Sequence, residues 1–474
     1  MKCYRRLFLC VMFALALTAC GTFPENAQLK EYNPADGYRF DELQLGPKNT
    51  DSLFVILTFS GGGTRAAAFS YGVMEALRDT EIRWKGEKKA LLDEVDIISS
   101  VSGGSFTAAY YALHGNGIFG GTFEREFLKK DIEHELFMSA LRPTSWFKLI
   151  GPSYGRSDLA AEYYDAALFS GASYADLIKK NSRPFVILNA TDMSAGEPFS
   201  FIQDQFDLIC SDLSKLPIAR AVTSSSAFPG LLTPLTFENF AGTCKYQEPP
   251  WVRLAIGDRR IAPERANLAE RRRSYYLRQP WEQEKRFAHL IDGGVSDNIG
   301  LRGILFALQG GDSSYSIQRR INREEIQKLL IIVVNAATDP EKERDSAARV
   351  PGVVDVLTAA ATIPLDRYSF DTVQRARAIA REYNDAVRVR KACENILHKT
   401  CPQAKLPGGD LYAVDIYVSH VSFDLIEDPK TRFDYKNLPT TFKLPPDTVN
   451  ALRHTAADLL RRDPEFIRFI GQLN

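Results

Sequence analysis

Two stretches of this chain share one grammar, and that grammar constrains the fold more than any other feature. Ser52 to Phe59, SLFVILTF, is an unbroken apolar, β-rich run; Ser60-Gly61-Gly62-Gly63-Thr64-Arg65 follows at once, and then AAAFSYGVMEALRD, which has the composition of a helix. Val95, Ile97 and Ile98 read as a second short buried strand, running through Ser99, Ser100, Ser102, Gly103 and Gly104 into FTAAYYALHG, another helix. Strands that are continuously apolar, rather than alternating, belong to parallel sheets covered on both faces. Strand and helix in alternation predict an α/β domain with a mostly parallel sheet. Ligands of such sheets bind at the carboxyl ends of the strands, so both small-residue turns can face one site.

The rest of the chain extends the pattern. Pro184 to Ala190 (PFVILNA) and Leu329 to Asn335 read as buried strands, with Pro198 to Ile202 a short partner run. Ile218 to Phe228 reads as a helix stopped near Pro229, and Arg286 to Ile291 leads into Asp292-Gly293-Gly294. Thr122 to Leu149 reads as helix, residues 340–474 as a helix-rich C-terminal part, and Leu411 to Phe423 within it alternates like a strand. No internal repeat is visible. Residues 241–287 stand apart as a basic and aromatic excursion, with Arg253, Arg259, Arg260, Arg265, Arg271, Arg272, Arg273, Arg278, Lys285 and Arg286 beside Trp251, Tyr275, Tyr276 and Trp281. This reads as a solvated surface excursion with ordinary salt bridges; the same mixture suits a bilayer interface, and its place directly before Asp292 lets it roof a site there.

The N-terminus carries an address. Lys2, Arg5 and Arg6 precede LFLCVMFALALTA, an apolar run too short for a comfortable membrane span, so residues 1–19 read as a secretory signal. It ends in Leu17-Thr18-Ala19-Cys20, which resembles the lipobox of bacterial lipoproteins, with Cys20 as the lipidated first residue of the mature chain. Gly21, rather than Asp, resembles the pattern of lipoproteins sent to the outer membrane, facing the periplasm. Residues 20–50, polar and containing Pro24, Pro34 and Pro47, read as a tether whose end lies against the domain, and residues 51–474 as one domain. In an oxidising compartment, Cys210–Cys244 and Cys393–Cys401 are the expected disulfides, although four cysteines allow three pairings. No CxxC and no HExxH occurs, so no metal site and no cofactor is expected, and a formal net charge of zero gives no argument for nucleic acid.

The turn at Ser102 carries the chemistry. A strand that turns sharply into a helix through small residues presents a hydroxyl at the tip of a sheet, the geometry of a nucleophile elbow. A serine hydroxyl needs a neighbouring base. Of the six histidines only His289 lies near a glycine-rich turn that could approach the elbow, and it reads as part of a strand; a carboxylate held against the serine oxygen can serve instead, and Asp292 sits at a strand end before two glycines that permit close backbone approach. Acyl transfer also needs donors for the developing oxyanion, which the backbone N–H groups of Gly61, Gly62 and Gly63 can supply, with Arg65 adding charge or fixing the loop. A phosphate cradle fits less well, because GGGTR lacks both the G-x-G-x-x-G spacing and a Lys-Ser/Thr ending. Asp192 reads as a turn former, Asp297 and Asn298 as loop-capping residues.

At these residues the chain resembles the patatin-like phospholipase family. The matching pieces are Ser60-Gly61-Gly62-Gly63-Thr64-Arg65, Ser100-Val101-Ser102-Gly103-Gly104, Ser225-Ser226-Ala227-Phe228-Pro229-Gly230 and Asp292-Gly293-Gly294, in the family's order. The resemblance implies a three-layer α/β/α fold with C-terminal helices, Ser102 as nucleophile, Asp292 as base, Gly61 to Gly63 with Arg65 as oxyanion hole, and hydrolysis of lipid acyl esters without a metal. The departure is Ser100, where the family most often has Gly, which bears on the strain of the elbow. An acyltransferase using the same dyad and a non-catalytic scaffold lipoprotein are the alternatives.

Overall fold

A computed structural model describes residues 26–473, apart from 150–153, 279, 282, 310–316, 323, 324, 340–347, 349, 351, 402 and 404–413. The signal sequence and Cys20 therefore lie outside the described residues.

The two strands singled out in the sequence sit side by side at the middle of an eight-stranded sheet. They are β1 (Leu53–Phe59) and β4 (Val95–Val101), and every residue of both is buried. That follows from their composition: with no polar side to turn to solvent, each must be covered on both faces, at roughly 1.5–3 kcal/mol per buried Val, Leu, Ile or Phe. A small hairpin, β2 (Glu81–Trp84) and β3 (Glu87–Ala90), lies between them in sequence and forms its own two-stranded sheet. β5 (Phe185–Asp192) is parallel to β4 and carries β6 (Glu197–Ser200) antiparallel on its far end. β7 (Leu235–Glu238) and β8 (Phe287–Asp292) complete one side of the sheet, and β9 (Lys328–Asn335) and β10 (Asp415–Ser422) the other. The order is β10-β9-β1-β4-β5-β8-β7; the first five are mutually parallel. β8 runs antiparallel to β5, pairing Ala190 with Asp292 and Asp192 with Leu290.

Helices flank this sheet in a three-layer α/β/α arrangement. α1 (Gly63–Asp79) and α2 (Gly103–His114) follow β1 and β4 directly. α3 (Ile218–Ser225) leads to the Ser-Ser-Ala-Phe-Pro turn, ending earlier than the sequence predicts. α4 (Pro250–Gly257) and α5 (Pro263–Arg273) form the excursion, α6 (Val353–Thr400) crosses β10, and α7 (Pro446–Arg462) packs on α1. At Gly72 the two helices are so close that a Cβ would lie 2.2 Å from the Arg453 carbonyl oxygen, and Arg453 adds ion pairs to Glu75 and Glu124 at 2.7 and 2.6 Å. The segment 122–149 is not one helix; it breaks into a π-helical turn at Glu124–Leu128 and the helices Ile132–Ala140 and Pro143–Leu149, the last beginning at a proline that cannot continue the preceding turn.

Two expectations are corrected. The stretch read as a tether is docked well before its end: Asn26 bonds to Ser211 and Glu238, and the Leu29 and Tyr32 N–H groups to the Cys210 and Cys244 carbonyls, while at its far end Tyr38, Phe40 and Leu43 lie against the domain beside Phe54 and Phe185. Cys210 and Cys244 are bonded with Cα atoms 5.5 Å apart, but Cys393 and Cys401 are both free and exposed. Eight residues apart on one helical path, the latter pair stand roughly 12 Å apart along the axis, beyond the ~7 Å Cα separation a disulfide tolerates.

Candidate active site

The elbow forms because its neighbours leave no alternative path. Ser102 sits at φ 49°, ψ −121°, a conformation L-residues avoid at about 1–3 kcal/mol, immediately before α2. Gly103 permits it: a Cβ there would lie 2.0 Å from the Gly63 carbonyl oxygen, and one on Gly104 2.7 Å from Phe59 Cβ. The two small-residue turns thus touch at the carboxyl ends of adjacent strands, as the pattern of the sequence requires. Ser100 does not relieve the strain. It lies in regular strand conformation with its hydroxyl accepting from the Ser105 hydroxyl at 3.1 Å, and the strain falls on Ser102 itself.

Asp292 reaches Ser102 from the other direction. Because β8 is antiparallel to β5, its last residue ends beside Ala190, one residue beyond the Asn189–Val101 pair that precedes the elbow. The Asp292 carboxylate lies close enough to Ser102 for the serine to favour its charged form, and its Oδ1 accepts the Gly294 N–H at 2.7 Å. Burial pushes the Asp292 pKa up to about 6, against the lowering by nearby Ser102 and by the Gly294 N–H. Gly293 is obligatory here too, since a Cβ would lie 2.1 Å from the Asn189 carbonyl oxygen.

The glycine loop divides its labour unevenly. The Gly61 N–H donates to the Asn298 carbonyl at 2.9 Å, so it is committed to structure and is not a free oxyanion donor. Gly62 (φ 136°) and Gly63 (φ 58°) open α1, where first-turn N–H groups have no intrahelical acceptor. Their amides are the candidates for an oxyanion. Gly61 flanks the nucleophile, for a Cβ on it would be 3.3 Å from Ser102 Cβ.

Arg65 commits four donor contacts to segments distant in the chain. Its Nε donates to the Ala336 carbonyl at 2.9 Å, Nη1 to the Leu438 and Pro439 carbonyls at 2.9 and 2.7 Å, and Nη2 to Thr440 Oγ1 at 3.1 Å. Its role is to brace the loop: it is buried, and its donors satisfy carbonyls that arrive from far along the chain.

Ser225 was not singled out from the sequence as more than part of a motif. Its hydroxyl accepts the Ser102 N–H at 2.9 Å and donates to the Asn189 carbonyl at 2.6 Å, while its own carbonyl accepts the Gly293 N–H at 3.1 Å. One residue therefore holds the backbone on both sides of the dyad; the only sequence signal was a run of three serines. Asn298 likewise sits between the glycine loop and the Asp292 turn, its Oδ1 2.5 Å from where a Gly61 Cβ would be and 2.9 Å from where one on Gly294 would be. His289 is exposed and shares a hydrogen bond with Thr236 at 3.0 Å, away from the dyad. Asp192 turns the chain, accepting the Ser194 and Ala195 N–H groups, and also anchors Tyr275 and Lys285 of the excursion.

With the geometry set out, comparison with known proteins adds the lineage. Residues 57–305 match the model of the family described as patatin-like phospholipase, more than half the chain. The chain belongs to the patatin-like phospholipase family. The match contains the glycine loop from Phe59 on, the elbow, the Ser225 motif and Asp292. No curated protein sequence matches the chain. Among solved structures it is similar to human GIVD cytosolic phospholipase A2, at 11% identity and a TM-score of 0.44, over 89% of this chain and 60% of that one. It is also similar to VipD from Legionella pneumophila, at 12% identity and a TM-score of 0.29, over 93% and 71%. The chain thus spans less than two thirds of the length of the human enzyme.

Proposed function

We propose that this member of the patatin-like phospholipase family is a serine acyl-ester hydrolase of lipids, anchored through a lipidated Cys20 to the periplasmic side of the outer membrane. The observation that carries the reading is the strained elbow that sets Ser102 beside the buried Asp292 carboxylate, near enough to lower its proton affinity. Ser102 attacks the ester carbonyl as Asp292 takes its proton; the tetrahedral oxyanion lies toward the Gly62 and Gly63 amides. Collapse releases the alcohol, which receives the proton, and leaves an acyl-serine. Water, deprotonated by Asp292, then releases the fatty acid. A positioned N–H donor in such a hole lowers the barrier by about 3–4 kcal/mol.

Ser102→Ala should abolish hydrolysis of a lipid acyl ester and labelling by a fluorophosphonate, with an unchanged melting temperature. Retention of turnover by that variant overturns the assignment. Product analysis with a competing alcohol separates hydrolysis from acyl transfer.

A further inference from the structure

The surface beside the docked N-terminal segment has a chemistry of its own. Asn26 is fixed to the edge strand β7: its Oδ1 accepts the Glu238 N–H at 2.7 Å and its Nδ2 donates to the Ser211 hydroxyl at 2.9 Å. Leu29 and Tyr32 then donate their N–H groups to the carbonyls of Cys210 and Cys244, the two halves of the disulfide, at 2.7 and 2.8 Å. Tyr32 packs edge-on against Tyr246, 5.0 Å between centroids. The fixed chain thus starts at the root of the excursion. Cys20 lies six positions before Asn26, a reach of roughly 20 Å at full extension. A lipid on Cys20 therefore holds this particular side of the domain near a bilayer, which a free thirty-residue tether would not do.

The excursion is built for that neighbour. Between Gly242 and Phe287 there are 11 Lys and Arg against 6 Asp and Glu, in a chain whose formal net charge is zero. α4 and α5 close on their own small core of Val252, Ala255 and Ala269, and this turns other apolar side chains outward: Leu254 is 62% exposed and Ile261 86%. Arg253 and Arg260, the residues just before each of them, are exposed as well. Large apolar side chains interleaved with arginines complement an anionic lipid surface, where acyl chains take the former and headgroups the latter. The excursion is also rooted at the reaction. Asp192 accepts the Tyr275 hydroxyl at 2.6 Å and Lys285 Nζ at 3.1 Å, and pairs in the sheet with Leu290, two residues before Asp292.

We infer that the exposed face of the α4–α5 hairpin, carrying Arg253, Leu254, Arg260 and Ile261, is the surface by which the protein seats on an anionic bilayer, the same leaflet that holds its lipid anchor. No helix among the described residues is long and apolar enough to cross a membrane. The inference rests on reading the chain as a lipid-anchored acyl hydrolase.

The test uses the mature chain, residues 20–474, carrying Cys20→Ala so that it cannot be lipidated, and vesicles of phosphatidylcholine with or without about one third phosphatidylglycerol. The parent should partition onto the anionic vesicles and not the neutral ones. Arg253→Glu with Arg260→Glu should weaken that partition about 30-fold or more, since each cation near such a surface contributes about 1 kcal/mol. Leu254→Ser with Ile261→Ser should weaken it at least tenfold in the same vesicles. Both pairs should slow hydrolysis of a vesicle-borne ester in proportion and leave a water-soluble short-chain ester untouched, at an unchanged melting temperature. Partition of both pairs within twofold of the parent, or a parent that ignores anionic vesicles, overturns the inference. A parent that binds vesicles in this pattern yet hydrolyses neither ester leaves the surface standing and overturns the proposed chemistry instead.

Discussion

Ser102, Asp292 and Ser225 divide the site's demands among chemistry, proton affinity and backbone control. Asp292 must be ionised to accept the serine proton, so kcat/KM should fall about tenfold per pH unit below its pKa of about 6 and level off above it. A limb displaced to the ordinary carboxylate range near 4 shows that the acting base is a solvated group. The same burial has a stability consequence of opposite sense. The folded-state pKa lies above the unfolded one, so the folded protein binds the extra proton between about pH 4 and pH 6. Stability from this group is therefore present at low pH and lost as pH rises through about 6. Asp292→Asn should abolish turnover while leaving the protein equally stable or about 1–3 kcal/mol more stable at pH 8, read by denaturant titration. Ser225→Ala removes the acceptor of the Ser102 N–H, leaving that group buried and unpaired at about 1–3 kcal/mol. Its kcat on a soluble ester should drop about 10- to 100-fold with KM little changed, and Ser225→Thr should restore part of it; equal rates for Ala and wild type show the elbow to be held by other contacts.

At the scale of elements, the site depends on how far-separated segments meet at one turn. The loop before α1 is held from below by residues 438–441: the Thr64 N–H donates to the Thr441 carbonyl at 2.9 Å, and Arg65 fills four acceptors between Ala336 and Thr440. Arg65→Met should thus lower stability by roughly 2–4 kcal/mol and change kcat less than tenfold in the protein that remains folded. A loss of 100-fold or more in kcat at an unchanged melting temperature returns Arg65 to the oxyanion hole. The apolar runs and glycine turns made β1, β4, β5, β9 and the helices α1 and α2 legible, because a strand with no polar side and a helix entered through glycines leave few alternatives. The hairpin β2–β3 and strand β7 were not legible: their sequences, EIRW, EKKA and LTFE, are short, and all but β7's two inward residues are mixed in polarity. The proposed Cys393–Cys401 bridge failed for a related reason, since nearness in sequence says nothing about distance along a straight helix.

For the molecule as a whole, the matched region and the folding unit are not the same length. The family match ends at residue 305, but β9 lies directly between β1 and β10 in the sheet. A chain ended after residue 322 lacks β9 and exposes the edge of β1 that β9 covers in the intact protein. It should be insoluble or bind a hydrophobic dye strongly, whereas a soluble, cooperatively unfolding product shows the C-terminal part to be dispensable. What the sequence determined by itself was local: which runs are strands buried on both faces, where the backbone can turn only through glycine, and which hydroxyl and which carboxylate stand at such turns. What only the tertiary structure decided was direction and partnership. It set β8 antiparallel so that Asp292 returns to Ser102, committed the Gly61 amide to Asn298, turned Arg65 toward the C-terminal segment, and docked residues 26–43 that composition alone reads as a tether. The physical reason is that side-chain pattern specifies what a segment must bury, while hydrogen-bond partners and strand direction depend on segments that are distant in the chain and close only after the core has formed.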